Sequence, residues 1–100
     1  MHHANNDDGK SYARRTAFAI ASQLKPKLDK QSITPDDLWA YIKVDFGVDS
    51  RSELSELDWV KVAARLHSAQ RHKILFDELC EKIKTHKLYK DLSDAESEAA

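Results

Sequence analysis

Apolar residues recur at helical spacing along most of this chain, and four stretches can be read from them. Ala13, Ala17, Ile20, Ala21, Leu24 and Leu28 follow the i, i+3, i+4, i+7 spacing of one helical face. They predict a first helix from Ser11 to Lys30, with alanines that permit close packing. Pro26 lies inside this pattern. It lacks a backbone donor and crowds the preceding turn, so the helix is expected to kink or end near Lys25.

A second helix, Pro35 to Phe46, has the clearest punctuation. Thr34 can cap it, Pro35 suits the first helical position, and Asp36 and Asp37 favour the positive end of the helix dipole. Ile33 and Leu38 are spaced for a hydrophobic staple. Leu38, Tyr41, Ile42 and Asp45 or Phe46 carry the period on. Gly47 supplies the left-handed residue that closes the helix, with Val48 free to fold back on Ile42. The third helix, Glu56 to Gln70, opens the same way: Ser55 caps, Asp58 follows three residues later, and Leu54 pairs with Trp59. Its stripe is Trp59, Val62, Ala63, Leu66 and Ala69 or Gln70. Leu75, Phe76, Leu79, Cys80 and Ile83 mark a fourth helix, His72 to Leu88. No Gly or Pro separates the last two. A polar joint between Ser68 and His72 is expected, because one straight helix of about 33 residues is long for so small a core.

The expectation is an all-α fold, a small bundle of three to four helices with flexible termini. Its core is expected to hold Ile20, Leu24, Leu38, Ile42, Phe46, Leu54, Val62, Leu66, Leu79 and Ile83. Residues 1–10, almost devoid of apolar side chains, read as a disordered leader, residues 11–90 as the helical domain, and residues 91–100 as an acidic tail.

Composition narrows the class. With 100 residues the chain fits one domain. No run approaches the ~20 apolar residues of a membrane span, so no membrane association is expected. A single cysteine, Cys80, cannot form an internal disulfide, which points to a cytoplasmic rather than a secreted domain. The formal charge of −1 hides an imbalance. Residues 61–90 carry eight Lys or Arg against three acids, whereas Asp91, Asp94, Glu96 and Glu98 face no base.

The candidate chemistry is sparse. Cys80 lies on an apolar stripe beside no glycine turn, the setting of a structural thiol. His67 and His72 are five apart and point to different helix faces, with no second cysteine and no H-E-x-x-H pattern, so no metal is expected. Gly9 and Gly47 stand alone, too few for a phosphate-cradling loop. The expectation is a protein that is not an enzyme, with no cofactor and no small-molecule substrate. Two binding chemistries remain. Lys61, Arg65, Arg71 and Lys73 could line one side of the third and fourth helices and contact nucleic-acid phosphates, although the seven residues from Val48 to Leu54 are long for a helix-turn-helix joint. Trp39 and Tyr41 project from different sides of a short helix and could anchor a partner protein. A homodimer through the basic C-terminal helix or the alanine stripe is a further reading, as is an inhibitor or regulator docking on a host protein through Trp39 and the acidic tail.

The segment from Trp39 to Leu66 resembles a small helical domain at the C-terminal end of phage antirepressor and related phage DNA-metabolism proteins. The resemblance rests on Tyr41-Ile42-Lys43, on Phe46-Gly47-Val48 followed by Ser50 and Leu54, and on a second helix opening at Trp59 with Ala63 behind it. It covers about a quarter to a third of the chain, leaves the flanking helices unaccounted for, and carries over no catalytic residue. It implies an accessory module of a phage or prophage protein that docks on a partner, oligomerises or makes an auxiliary DNA contact.

Overall fold

A computed structural model describes the backbone of residues 2–99 and the side chains of residues 12–93. Within those bounds the fold is all-α. The helices are α1 (His2–Lys30), α2 (Pro35–Phe46), α3 (Glu56–Arg71) and α4 (Lys73–Ala99), with one 3-10 turn, η1 (Arg51–Glu53), between α2 and α3. The leader expected over residues 1–10 and most of the acidic tail fall outside the described side chains.

The caps set the helix boundaries. The Thr34 hydroxyl accepts from the Asp37 N–H at 3.1 Å, and the Thr34 N–H donates to the Asp37 carboxylate at 3.0 Å. Ser55 and Asp58 exchange the same two bonds, each at 3.1 Å. Both are closed capping boxes, which satisfy helix-end donors that otherwise have no partner. Gly47 closes α2 at φ 70°, and the Val48 N–H reaches back to the Lys43 carbonyl at 2.9 Å. Ser32 closes α1 at φ 61° without the freedom of a glycine. The return bond from the Ile33 N–H to the Leu28 carbonyl (3.0 Å) and the burial of Ile33 hold it there.

Helix α1 ends at Lys30, as its apolar stripe predicts, and runs through Pro26 rather than ending near Lys25. Leu24 and Leu28, one turn apart on either side of the proline, are 1% and 2% exposed. Full burial of a leucine contributes ~1.5–3 kcal/mol, comparable to the ~3 kcal/mol cost of an interior proline. Helix α4 continues past Leu88 to Ala99. The joint between α3 and α4 is a single residue. His72 is extended (φ −126°, ψ 117°); its N–H closes α3 on the Ser68 carbonyl, and its own carbonyl accepts the first α4 bond from the Phe76 N–H, each at 2.9 Å.

Helix α1 packs on α3, and α4 packs on α3 and α2. Helices α1 and α3 run in the same sense: Phe18 meets Trp59 near the start of α3, and Gln70 near its end donates to Gln23 at 2.6 Å. Lys84 and Lys87 of α4 reach Gln31 and Asp37 at the α1–α2 junction (3.0 and 3.5 Å). The core between the helices holds every residue expected there, with Phe46 half-buried at its edge, and adds Leu28, Ile33, Trp39, Trp59 and the alanines of α1. No described buried side-chain polar atom lacks a hydrogen-bond partner.

Two outcomes test this account. Pro26 is exposed, so Pro26→Ala restores a helical hydrogen bond at no packing cost and should raise stability by ~1–3 kcal/mol in urea melts. Asp37 titrates below its ordinary range, chiefly through the Thr34 backbone bond, with the Thr34 hydroxyl and Lys87 adding and partial burial opposing. A depressed carboxylate stabilises the fold above its unfolded pKa, and that contribution is lost as pH falls through the lower folded value. Asp37→Asn should therefore cost ~0.5–2 kcal/mol at neutral pH, and the difference from wild type should close below about pH 4.

Candidate functional site

The four cations read as one face do not form one. Arg65 is taken up by Asp45 at the end of α2, and its guanidinium carbon lies 5.6 Å from the Phe46 ring centroid. Lys73 pairs with Asp77 one turn on, at 2.8 Å. Arg65 borders a hollow with Tyr41 and Leu79, whereas Arg71 and Lys73 border another with Lys27, Gln31 and Phe76 at the α3–α4 corner. Six residues separate Arg65 from Arg71, which turns them about 120° apart around the helix axis. Lys61 is exposed on α3 with no carboxylate in ion-pair range among the described residues. The site is thus two separate pairs of cations, each with one member already neutralised.

The two aromatic candidates also sit differently from an exposed anchor. Tyr41 is half-buried against His86 of α4, with ring centroids 6.2 Å apart, and burial raises its hydroxyl pKa above the usual value. Trp39 is 9% exposed. It forms a triangle with Phe18 and Trp59, with centroids 5.0 Å (Phe18–Trp39), 5.5 Å (Phe18–Trp59) and 6.0 Å (Trp39–Trp59) apart, all tilted or edge-on. Such pairs contribute ~0.5–1.5 kcal/mol each beyond the area they bury. Trp39 is packed in the core rather than standing out as an anchor, because a ring of this size on a short helix is stabilised more by two aromatic neighbours than by exposure to water.

Two arginines lie on this triangle. Arg14 of α1 stands 5.4 Å from the Phe18 centroid and 5.7 Å from Trp59; Arg51 of η1 stands 5.1 Å from Phe18 and 5.3 Å from Trp39. Both side chains are exposed, and neither makes an ion pair among the described residues. Beside the triangle a cleft of about 140 Å³ opens between α1 and α2, walled by Phe18, Trp39, Leu28 and Leu38, with Ser22 and Lys25 at its rim. Sequence reasoning missed Arg14, Phe18 and Arg51. The i, i+4 spacing of Arg14 and Phe18 was a visible signal; Arg51 gave none, because a 3-10 turn delivers it from a different part of the chain.

Among the described residues no cluster of His, Cys, Asp or Glu is placed to hold a metal ion, and no helix is long and apolar enough to cross a membrane. Cys80 is buried at 4% exposure within the core. Desolvation pushes its thiol pKa up, with Lys84 opposing and Asp77 adding. Alkylation by iodoacetamide at neutral pH should accordingly be far slower in the folded protein than in urea, where Cys80 should react like a free thiol; equal rates would contradict the burial. No protein-family model, curated protein or solved structure matches the chain.

Proposed function

We propose that this chain is a non-catalytic protein-interaction module that pairs with a second copy of itself through the distal half of α4. The observation that carries this reading is the surface of that half-helix. Helix α4 joins the core through Phe76, Leu79, Cys80 and Ile83, with His86 half-buried, and every residue from Lys87 to Ser93 is then exposed. Leu88, Tyr89 and Leu92 are 59%, 68% and 53% exposed within little more than one turn, beside a groove that reaches Val44 of α2, itself 63% exposed. Single exposed apolar residues are ordinary; a cluster on one extended helix marks a contact surface.

Charge argues for a second copy as the occupant. Lys82, Lys84, Lys87 and Lys90 precede this point in the sequence, and Asp91, Asp94, Glu96 and Glu98 follow it. Two such helices laid antiparallel bring the basic stretch of each beside the acidic stretch of the other, with Leu88 of one near Leu92 of its partner, the self-complementary pattern of a two-fold interface. The resemblance of Trp39–Leu66 to phage antirepressor-type helical domains supports a cytoplasmic setting in phage or prophage DNA metabolism. Direct nucleic-acid contact is the weaker reading, since Asp45 and Asp77 already engage Arg65 and Lys73.

Sedimentation equilibrium over a concentration series tests the pairing. The mass should rise toward twice that of one chain, the rise should weaken with added salt, and it should vanish for Leu88→Glu combined with Leu92→Glu, which leaves the core untouched. A mass that stays at one chain up to millimolar concentration refutes it.

A further inference from the structure

Arg14 and Arg51 are unlike the other cations whose contacts are described above. Each is held against two rings of the aromatic triangle, and both share Phe18. At 5.1–5.7 Å from the ring centroids both guanidiniums are within cation–π range, and a guanidinium held there by its charge still has N–H donors to offer. Both distances being measured to one centroid, the two guanidinium carbons are no more than about 11 Å apart. No described carboxylate lies within ion-pair range of either. Two like charges lie against the same ring with no counterion among the described residues.

The cleft shares two walls with this pair. Phe18 and Trp39 carry the arginines and also line the apolar hollow between α1 and α2. Its volume of about 140 Å³ suits one branched aliphatic side chain; an apolar cavity of ~150 Å³ takes a benzene-sized group. Lys25 at the rim is already engaged by Asp29 at 3.0 Å, so the uncompensated charge lies at the arginine end.

We propose that the cleft between α1 and α2, together with Arg14 and Arg51, is a docking site for a short acidic peptide segment of another protein, with one aliphatic side chain in the cleft and flanking carboxylates on the two guanidiniums. Acidic side chains on a helical or extended segment recur about 5–7 Å apart, a spacing two such arginines can take together. A nucleic acid fits less well. It calls for a continuous basic field and for ring faces on which bases can stack, and these faces are occupied by the arginines and by one another. The site lies on α1, α2 and η1, so it goes beyond the pairing through α4 and is independent of it.

The test uses the full chain, labelled with nitrogen-15, and the synthetic peptide acetyl-Glu-Asp-Leu-Asp-Glu-amide. Saturable shifts of the Trp39 and Trp59 indole N–H resonances are expected. Affinity should fall by about tenfold or more for Arg14→Gln combined with Arg51→Gln, and by about fivefold or more when the peptide leucine is replaced by glycine. Ala21→Leu narrows the cleft from α1 with both arginines intact; it should weaken binding as well, and it decides the matter if the double arginine variant fails to fold. The double change Leu88→Glu and Leu92→Glu should leave peptide affinity unchanged. No saturable shift up to about 10 mM peptide, a limit that already corresponds to very weak binding, would overturn the proposal. So would affinity indifferent to both the arginine and the cleft substitutions, or an oligothymidylate that shifts the same resonances at lower concentration than the peptide.

Discussion

The contact on which the arrangement of this bundle depends is the meeting of Phe18, Trp39 and Trp59. Each ring comes from a different helix, and the three close a triangle with no centroid separation above 6.0 Å. In a chain with few large side chains, that is where α1, α2 and α3 are fixed relative to one another. Leucine and isoleucine fill the space along the helices, but they do so non-directionally. The tilted and edge-on rings restrict the angle as well as the distance. Arg14 and Arg51 then cover the solvent side of the same cluster, so the feature that orients the helices also sets the chemistry of one surface.

Helix α4 stands outside this triangle and is positioned by other means. Its first turns are dictated by the His72 corner, and its middle is pinned by Leu79, Cys80 and Ile83. Lys84 and Lys87 tie it to Gln31 and Asp37, although exposed polar contacts of this kind contribute little stability individually. Among the described residues beyond Lys87, none has a hydrogen bond or ion pair to another helix. At 1.5 Å per residue α4 is about 40 Å long, longer than either α2 (12 residues) or α3 (16 residues), the helices it packs on. The excess length is what leaves Leu88, Tyr89 and Leu92 in water, and it is the physical basis for reading the distal half as a contact surface.

Much of the fold was legible in the sequence because it is written in local chemistry. The Thr34–Asp37 and Ser55–Asp58 boxes and the Gly47 closure concern residues within a few positions of each other, and the apolar stripes repeat on the helical period. Local rules also misled in one place. Pro26 predicts a kink or an end near Lys25, and the burial of Leu24 and Leu28 on either side of it favours carrying α1 through to Lys30. The site was legible in part. Cationic residues between positions 61 and 73 look like a group in one dimension, but the turn of α3 and the corner at His72 divide them, and Asp45, twenty residues before Arg65, claims one of them. The arginine pair was hidden for the complementary reason: Arg14 and Arg51 are far apart in sequence and meet only through a third residue, Phe18.

The single-residue corner at His72 has a consequence for how this sequence can change. The link between α2 and α3, residues 47–55, has nine residues and a turn of its own, so an added residue there can be absorbed as slack. At His72 there is none. One residue inserted immediately after it would rotate the rest of α4 by about 100° and carry Leu79, Cys80 and Ile83 off the face that meets α2 and α3. Chains that share this fold should therefore vary in length between α2 and α3 and keep a fixed count of residues across the α3–α4 corner, an invariance of spacing rather than of residue identity.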